Sequence, residues 1–432
     1  MRLPRLGERP GPDARPRSGR LARTAAARAS CPRLLPAPTV SGVQFTVGFD
    51  LDLVLSDPRP GAGEPSPIAL RAGVVEAVEA VQAYGGQVAV TTVGTEARAR
   101  RVLADLAVEV DAVLVGGGDV AVTVQLSVAV SAGVPAPGVR VATVAPAGAE
   151  VVLLDHLSDF TGWLADHVLD RRLAALETSL AGLDGLLVAF SGGADSAFLL
   201  AAAVRALGAD RVVAATAVSP SLAADELPVA VAFAASLGVR HLTPTTDELA
   251  REGYVANGPD RCFHCKATLL DTLRPLAHSL GLAAVATGTN ADDAVAGFRP
   301  GIRAAAQRGA LTPVLDAALT KAQVREASRR WGLVTADKPA LACLASRIAY
   351  GLQVTSAGLA RVDRAERALR SRLGDVEHLR VRDLGAGVAR VELDARALAG
   401  CDEAALQVVR DEGFDEVSLR EFRSGSMNEL LA

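Results

Sequence analysis

The segment Leu187-Val-Ala-Phe-Ser-Gly-Gly-Ala-Asp-Ser196 is an apolar run that stops at two glycines, after which the chain continues as Ala197-Phe-Leu-Leu-Ala-Ala-Ala203. An apolar strand that turns through glycines into a helix directs backbone N–H groups and the positive helix end at an anion. The segment therefore predicts a phosphate site; the alternative is a tight turn without a ligand. It lacks the lysine with which Walker-type loops reach the β- and γ-phosphates, so it suits release of pyrophosphate with transfer of AMP.

Composition narrows the classes of protein to which the chain can belong. A chain of 432 residues, 50% of them apolar, is long for one core and predicts two or three domains. Its formal net charge of -4 gives no general attraction to nucleic acid. No apolar run has the length of a membrane span, and no signal-peptide pattern is present. We therefore expect a cytoplasmic protein whose partners include neither a membrane nor a nucleic acid.

The chain divides into four regions by pattern. Residues 1–40 are rich in Arg and Pro and are expected to be disordered, because they bury too little apolar surface to offset the entropy of ordering. Residues 41–170 and 175–351 alternate strand and helix patterns, which predicts two α/β domains with parallel sheets. Residues 352–432 change character and predict a smaller α+β domain. The predicted strands are residues 45–49, 87–91, 112–115, 185–190, 212–218, 241–244, 283–286, 379–382 and 388–393, and the predicted helices include residues 74–84, 96–106 and 357–372.

Two of the five cysteines are three positions apart, in Arg261-Cys262-Phe-His-Cys265-Lys266. The two flanking cations are expected to lower the pKa of both thiols and to favour thiolate. A third cysteine, Cys343, lies in an apolar segment between Lys338 and Arg347. The residue types thus indicate metal, redox or sulfur chemistry.

Three cysteines are compatible with several chemistries. Zinc with His264 as a fourth ligand is one, and a redox pair with Cys343 free is another. A 4Fe-4S cluster held by three thiolates would leave one iron open to carry a sulfide. The spacing alone does not choose among them.

Lysine is used sparingly in this chain. Three of the 45 Lys and Arg residues are lysines, namely Lys266, Lys321 and Lys338, and all three occur in motif segments. This bias indicates that a compact point charge is required at those places.

The segment Thr287-Gly-Thr-Asn-Ala-Asp-Asp293 follows an apolar strand. It places Gly288 and two acidic residues at the carboxyl edge of a predicted parallel sheet, where open α/β sheets bind ligands. Asp292 and Asp293 either hold Mg²⁺ or cap the next helix.

Taken together, these motifs resemble a known family. The SGGADS loop is similar to the PP-loop of AMP-forming ATP pyrophosphatases. Residues from about 180 to the C-terminus resemble the LarE family of ATP-dependent sulfur transferases, which help to build the nickel-pincer nucleotide cofactor of lactate racemase. The resemblance is carried by RCFHCK, GTNADD, FRPGIRAA, LTKAQVR, DKPALACLASRIAYG, RVRDLGAG, VARVEL and FRSGSMN. It implies a PP-loop α/β domain followed by a small C-terminal substrate-binding domain.

The resemblance also implies a reaction. ATP would activate a carboxylate of pyridinium-3,5-biscarboxylic acid mononucleotide as its adenylate, because a carboxylate is a poor electrophile. Pyrophosphate leaves, and sulfur then displaces AMP to give a thiocarboxylate. ATP and Mg²⁺ are the implied cofactors, with Asp292 and Asp293 as the candidate Mg²⁺ ligands.

Two sets of binding residues follow from the resemblance. The residues implied to hold ATP are Ser191, Gly192, Gly193, Asp195, Ser196 and Gly288. Guanidinium groups match both phosphate and carboxylate. The arginines predicted to bind substrate are Arg299, Arg347, Arg390 and Arg423.

Two sulfur sources occur in the LarE family. In one branch a single cysteine, at the position of Cys343, gives up its sulfur and becomes dehydroalanine. In the other branch three cysteines hold an iron-sulfur cluster whose open iron carries sulfide. Because Cys262 and Cys265 accompany Cys343, the chain resembles the cluster branch, and these three are the predicted catalytic and 4Fe-4S-binding residues.

The region 41–170 resembles the haloacid-dehalogenase-like phosphatases in a degenerate form. The matching residues are Asp50 and Asp52 of the first motif, Thr91 or Thr92 of the second, and Gly118 and Asp119 of the Mg²⁺ motif. Leu53 replaces the usual glycine, Thr123 stands where a second acid is expected, and residues 41–168 contain no lysine. We expect a structural or docking role with little or no phosphatase activity.

Two other functions are weighed against sulfur transfer to a small nucleotide. A tRNA thiolase, or another AMP-forming PP-loop enzyme, would share the loop, but a tRNA substrate needs a basic surface that the net charge does not indicate. A catalytically inactive ATP-binding protein would not require both an intact loop and three cysteines. We further expect the protein to form a homo-oligomer.

Overall fold

The computed structural model describes residues 46–50, 74–92, 96–105, 110, 112–115, 122–127, 138–145, 148–154, 159–297, 299–339 and 342–423. All of them belong to one compact unit that runs from Ala37 to Ala432. Within these ranges no helix combines the length and the apolar character needed to cross a membrane. The predicted Arg- and Pro-rich extension, residues 1–40, lies outside the described residues.

Helices and strands alternate through most of the described chain. The strands are β1 Thr46–Asp50, β2 Gln87–Thr92, β3 Ala112–Val115, β4 Val122–Ser127, β5 Gly138–Ala145, β6 Gly148–Leu154, β7 Leu186–Ala189, β8 Val212–Ala215, β9 Arg240–Leu242, β10 Ala284–Thr287, β11 Leu379–Gly385, β12 Val388–Leu393 and β13 Glu416–Glu421. The helices are α1 Val74–Ala83, α2 Glu96–Asp105, α3 Phe160–Ala181, α4 Ala194–Leu207, α5 Glu226–Ser236, α6 Glu252–Val255, α7 Arg261–Ser279, α8 Ala291–Val295, α9 Pro300–Gln307, α10 Pro313–Asp316, α11 Lys321–Arg330, α12 Ser356–Leu373, α13 Ala395–Ala399 and α14 Glu403–Arg410.

The first sheet has six strands in the order β3-β2-β1-β4-β5-β6. The four strands from β3 to β4 are parallel, as the alternation of strands and helices predicts. Strands β5 and β6 run antiparallel to their neighbours, so the prediction of a parallel sheet is wrong for this half. The reason is the connection: residues 146–147 join β5 to β6, and two residues are too few for the crossover that a parallel pair needs.

Two of the predicted phosphatase positions end neighbouring strands of this sheet. Asp50 is the last residue of β1, and it lies opposite Thr91 of β2 in the parallel register. The carboxyl ends of parallel strands meet at one edge, so the two positions are adjacent there. Thr92 is the last residue of β2 and Thr123 lies in β4, whereas Asp52, Leu53, Gly118 and Asp119 lie outside the described residues.

The second sheet has four parallel strands in the order β10-β7-β8-β9. From β7 the chain moves outward to β8 and β9 and then returns to β10 on the other side of β7. The order of strands therefore reverses between β7 and β10, and ligands bind at such a point in open α/β sheets. Helix α4, which follows β7, is held by the fully buried side chains of Phe198, Leu199 and Leu200.

The third sheet is smaller and carries a different pattern. Strand β11 runs antiparallel to β12, which runs parallel to β13, and helix α12 packs on this sheet. A small α+β unit is what the sequence predicts for this part of the chain. Strand β13 is not predicted, because most of its residues are polar and half-exposed.

Helix α3 connects the first sheet to the second. Its first half contributes Phe160, Leu164 and Val168 to the core beside the six-stranded sheet. Its second half contributes Leu176 and Leu180 to the core around β7 and α4. One continuous helix thus belongs to two hydrophobic cores.

Polar contacts reinforce this connection on the surface. Arg330, the last residue of α11, donates to Asp166 and to the carboxylate of Asp170 at 3.0 Å, both on α3. These ion pairs join α3 to α11.

Candidate functional site

The carboxyl edge of the four-stranded sheet opens into a cavity of about 860 Å³. The volume is within the range of small-molecule sites, about 300–1,000 Å³. Its wall includes residues that follow β7, β8 and β10 and residues of α7. The cavity therefore lies where the strand order reverses.

The glycine loop, residues 190–193, forms one end of this cavity. Gly192 has φ +72°, a conformation that favours glycine, and a Cβ there would lie 3.3 Å from the Cβ of Ala230. Ser196 Oγ donates to the Gly193 carbonyl at 3.1 Å and lies 3.1 Å from Ser191 Oγ. These contacts fix the loop against the first turn of α4, whose first N–H groups have no acceptor within the helix.

The end of β10 meets the same helix turn. A Cβ on Gly288 would lie 2.9 Å from the carbonyl carbon of Asp195 and from the amide nitrogen of Ser196. Asn290 Nδ2 donates to Asp195 Oδ1 at 3.1 Å. Burial raises the pKa of Asp195, while Lys321 and the Asn290 hydrogen bond act in the opposite direction. The turn after β10 thus approaches the first turn of α4 so closely that position 288 requires glycine.

The two acidic residues after β10 serve as caps. Asp293 and Asn290 form a reciprocal capping box at the start of α8. Asp292 Oδ2 accepts from the backbone N–H of Lys321 at 2.6 Å, where α11 begins. Of the two roles predicted for this pair, the structure displays helix capping, while Mg²⁺ binding stays a prediction.

All three predicted sulfur-site cysteines line this cavity. Cys262 and Cys265 are one turn apart on α7 and so share a face of that helix. Cys343 precedes the 3-10 turn Leu344–Arg347. The cavity therefore has the glycine loop and the three thiols on its wall together.

The predicted lowering of the thiol pKa values is wrong for this arrangement. Burial raises the pKa of Cys265 to about 12, with further increases from the charges of Cys343 and Glu248. Cys262 is exposed on the cavity wall, and the protein around it still removes enough hydration to raise its pKa despite the opposing charge of Arg261. Loss of hydration outweighs the flanking cations, so both thiols are neutral at neutral pH.

A buried network ties α7 to the segment after Cys343. Asn257 is fully buried with φ +54°, and its Nδ2 donates to the carbonyls of Ala349 at 2.8 Å and Leu352 at 2.9 Å. Arg261 donates to Asn257 Oδ1 and, at 2.8 Å, to the Ala345 carbonyl. The two cysteine-bearing segments are thereby held together by side chains to which sequence patterns assign no such role.

Arg347 is engaged inside the protein. It is 2% exposed, and it donates to both carboxylate oxygens of Glu366, at 2.9 and 3.1 Å. Its remaining N–H donors bind the carbonyls of Ala342 and Cys343. Arg347 therefore positions the backbone at Cys343 rather than lining the cavity.

The other predicted substrate arginines are dispersed. Arg390 lies in β12 with its Nε 3.3 Å from the carboxylate of Glu392, away from the cavity wall. Arg423 is exposed at the end of the described chain. Arg299 lines the cavity. The structure thus brings one of these four residues to the cavity that the glycine loop also lines, and substrate binding by all four stays a prediction.

The described residues contain no ready site for a single metal ion. In these ranges no group of three or more His, Cys, Asp or Glu side chains is placed to hold one. His264 lies 3.4 Å from Asp260 and against Gly253, rather than on the cavity wall. The zinc alternative, which needs four ligands at about 2.0–2.3 Å from one point, has no ligand set in this part of the chain.

The cavity wall also includes charged residues whose roles the sequence motifs do not specify. All three lysines of the chain line it, as do Glu226 and Glu248. Glu248 is 4% exposed and accepts from Thr246 Oγ1 at 2.8 Å. Because lysine is scarce, the sequence itself draws attention to the three lysines of the site. Glu226 and Glu248 are single acidic residues outside any motif, so the sequence gives no such indication for them.

Comparison with known proteins finds relatives that match about three fifths of this chain. Over 268 residues the chain is 33% identical to pyridinium-3,5-bisthiocarboxylic acid mononucleotide synthase of Lactiplantibacillus plantarum, a match that takes in 61% of this chain and 96% of that enzyme. It is 40% identical over 271 residues to an uncharacterized protein of Synechocystis sp., covering 61% of this chain and 99% of the relative. No protein-family model matches the chain.

The fold and the site define an α/β protein in which a glycine loop and three cysteines line one cavity. The chain belongs to the pyridinium-3,5-bisthiocarboxylic acid mononucleotide synthase family, because it covers almost the whole length of that enzyme at 33% identity.

Proposed function

We propose that this protein is an ATP-dependent sulfur transferase that converts a carboxylate of pyridinium-3,5-biscarboxylic acid mononucleotide into a thiocarboxylate, for synthesis of the nickel-pincer nucleotide. The observation that carries the proposal is the shared cavity, whose wall includes both the glycine loop and Cys262, Cys265 and Cys343. A sulfur transfer through an acyl adenylate needs an activation site and a sulfur site within reach of one carboxylate. The relative from Lactiplantibacillus plantarum, a bisthiocarboxylic acid mononucleotide synthase, supports the choice of substrate.

In the first step the carboxylate oxygen attacks the α-phosphorus of ATP, and pyrophosphate leaves. The free N–H groups at the start of α4 bind the phosphates, and Ser191 and Ser196 fix the loop that presents them. Lysines and arginines on the cavity wall offset the negative charge of ATP and of the substrate. The product is a mixed anhydride whose carbonyl carbon is electrophilic.

In the second step a sulfur nucleophile attacks that carbonyl carbon, and AMP leaves with the bond electrons. The three thiols fit a 4Fe-4S cluster in their number and in sharing one cavity wall. The raised pKa values of Cys262 and Cys265 indicate that a cation is needed to stabilise these two as thiolates. Cys262, Cys265 and Cys343 would hold the cluster, which when bound would supply sulfide. Arg347 fixes the Cys343 carbonyl, and Asn257 with Arg261 fixes α7 relative to it.

The test of this function is a product analysis. Purified protein prepared without oxygen is incubated with ATP, Mg²⁺, sulfide and the biscarboxylic acid mononucleotide, and products are identified by mass spectrometry. We expect AMP, pyrophosphate and a substrate in which one oxygen is replaced by sulfur. Release of ADP and phosphate, or thiolation of tRNA but not of the mononucleotide, would contradict the proposal.

Replacing Gly288 by alanine tests the close approach of β10 to the loop. The added methyl would lie 2.9 Å from backbone atoms of Asp195 and Ser196, so one of the two segments must move at a cost of about 1–3 kcal/mol. We expect AMP formation to fall roughly tenfold or more, because the shift misplaces the helix turn that binds the phosphates, and each 1.4 kcal/mol of lost transition-state binding is a factor of ten. Gly162→Ala, where the added methyl meets no atom within 4 Å, is the matched control and should retain full activity. Equal rates for the two variants would contradict the prediction.

We propose further that the six-stranded unit is a haloacid-dehalogenase-like domain with little or no phosphatase activity. The parallel order β3-β2-β1-β4, with Asp50 and Thr91 at adjacent strand ends, supports the resemblance. The missing motif residues support the lack of activity. Hydrolysis of p-nitrophenyl phosphate with Mg²⁺ should stay at background. A turnover that is lost in Asp50→Asn would overturn this.

A further inference from the structure

The glycine loop receives a lysine from a distant part of the chain. Residues 187–196 contain none, although Walker-type loops place one there to reach the outer phosphates. In the folded protein Lys338 Nζ donates to the carbonyl of Gly192 at 2.7 Å, across a sequence separation of 146 residues. The ammonium group therefore lies at the loop itself.

The segment that carries Lys338 is held by a second cation. Arg325 of α11 donates to the carbonyls of Ala336 at 3.1 Å and of Lys338 at 2.9 Å. Both Arg325 and Lys338 line the cavity. Because Arg325 uses its donors on backbone carbonyls, it positions the lysine.

Lys338 has donors to spare at this position. Its ammonium carries three N–H groups, and its contact with a protein acceptor among the described residues is the one to Gly192. Burial lowers its pKa, and the charge of Glu226 opposes that change. Its two other N–H groups are therefore available to an anion bound in the cavity.

The chain's use of lysine points the same way. Apart from the three lysines, all Lys and Arg residues of the sequence are arginines, and the three lysines all line this cavity. A lysine that only stabilised the fold could be an arginine. A compact ammonium group suits a crowded phosphate site better than a planar fork does.

We propose that Lys338 is the phosphate-binding lysine of this enzyme: it contacts the β- and γ-phosphates of ATP in the place of the missing loop lysine, and Arg325 positions it. The inference rests on the proposed use of ATP. It assigns to Lys338 a selectivity for ATP over AMP, because AMP lacks both outer phosphates.

The experiment measures the affinities of the full-length protein for ATP and AMP by isothermal titration calorimetry. The variants are Lys338→Ala and Lys338→Gln, the second of which keeps an N–H donor for the Gly192 carbonyl but removes the charge. Both should weaken ATP binding roughly tenfold to a hundredfold, as expected for a charge-assisted hydrogen bond, and leave AMP binding within about twofold. The ratio of the two affinities is the readout, because a disordered loop would weaken both ligands alike.

Arg325 is tested against a residue of the same type on the same helix. Arg325→Ala should weaken ATP more than AMP, and Arg325→Lys should restore part of the loss. Arg330→Ala, which removes surface ion pairs with Asp166 and Asp170 of α3, should change neither affinity. Unchanged ATP affinity in Lys338→Gln and Lys338→Ala, or equal weakening of ATP and AMP, would overturn the assignment while the proposed function stands. Absence of ATP binding by the wild-type protein would overturn the proposed function itself, and the assignment with it.

Discussion

Replacing Asp195 by alanine is expected to abolish ATP-dependent AMP and pyrophosphate formation, a loss of about a thousandfold or more. The carboxylate lies in the first turn of α4 on the cavity wall, and it accepts from Asn290 Nδ2 at 3.1 Å. It thus links the turn after β7 to the turn after β10 and offsets the charge of Lys321. Without it, Lys321 and Arg325 lose the charge of this carboxylate, and the turn after β7 loses its side-chain link to the turn after β10.

The fold should survive this change. The loop is anchored by Ser191, Ser196 and Gly193, and these bonds do not involve the Asp195 side chain. Asp195→Ala should therefore keep the circular dichroism spectrum of the wild type, while pyrophosphate release is measured by an enzyme-coupled assay. Asp210→Ala, at an exposed aspartate that follows the same helix, is the control and should be fully active. Substantial activity in Asp195→Ala would contradict the proposed activation site.

Alanine at any one of the three cavity cysteines is expected to remove the bound iron completely. Cys262, Cys265 and Cys343 line one cavity, and the charge of Cys343 raises the pKa of both Cys262 and Cys265. A cluster held by three thiolates has no spare ligand, so loss of one should release the whole cluster. Iron content and the visible absorption of protein purified without oxygen measure this, independently of turnover.

Cys401→Ala is the matched control, because this half-exposed thiol does not line the cavity, and this variant should keep its iron. The wild-type protein should turn over repeatedly when sulfide is supplied. Colourless protein with one metal per chain would instead favour zinc. No iron, at most one sulfur transferred and a mass loss of about 34 Da at Cys343, the mass of one H₂S, would show that Cys343 is sacrificed by C–S cleavage.

The fold is largely predictable because its main signals are local. Strand and helix patterns from residue 74 to residue 115, and again around β7 and α4, match the structure to within a few residues. The pairing of β5 with β6 is missed, since it depends on a two-residue connection rather than on alternation with helices. Strand β13 is missed because few of its side chains are buried.

The candidate site is predictable only in part, because much of it is non-local. The loop and the three cysteines are recognisable as short motifs, and the structure brings them to one cavity. The pKa of Cys265 is mispredicted, since neighbours in sequence indicate charge but not burial. Arg347 is recognisable as a cation, but its partner Glu366 is 19 residues away on another helix. The contact of Lys338 with Gly192 likewise depends on the whole fold.

Helix α3 has a consequence for how this protein can be divided. Because Phe160, Leu164 and Val168 belong to the core beside the six-stranded sheet, a shortened enzyme beginning at α3 would display them to water. Burial of each such side chain contributes about 1.5–3 kcal/mol, so the shortened protein would expose an apolar patch and tend to aggregate. The region that contains the six-stranded sheet therefore cannot be removed or exchanged without consequence for α3. A deletion or domain exchange would first require polar replacements in the first half of α3.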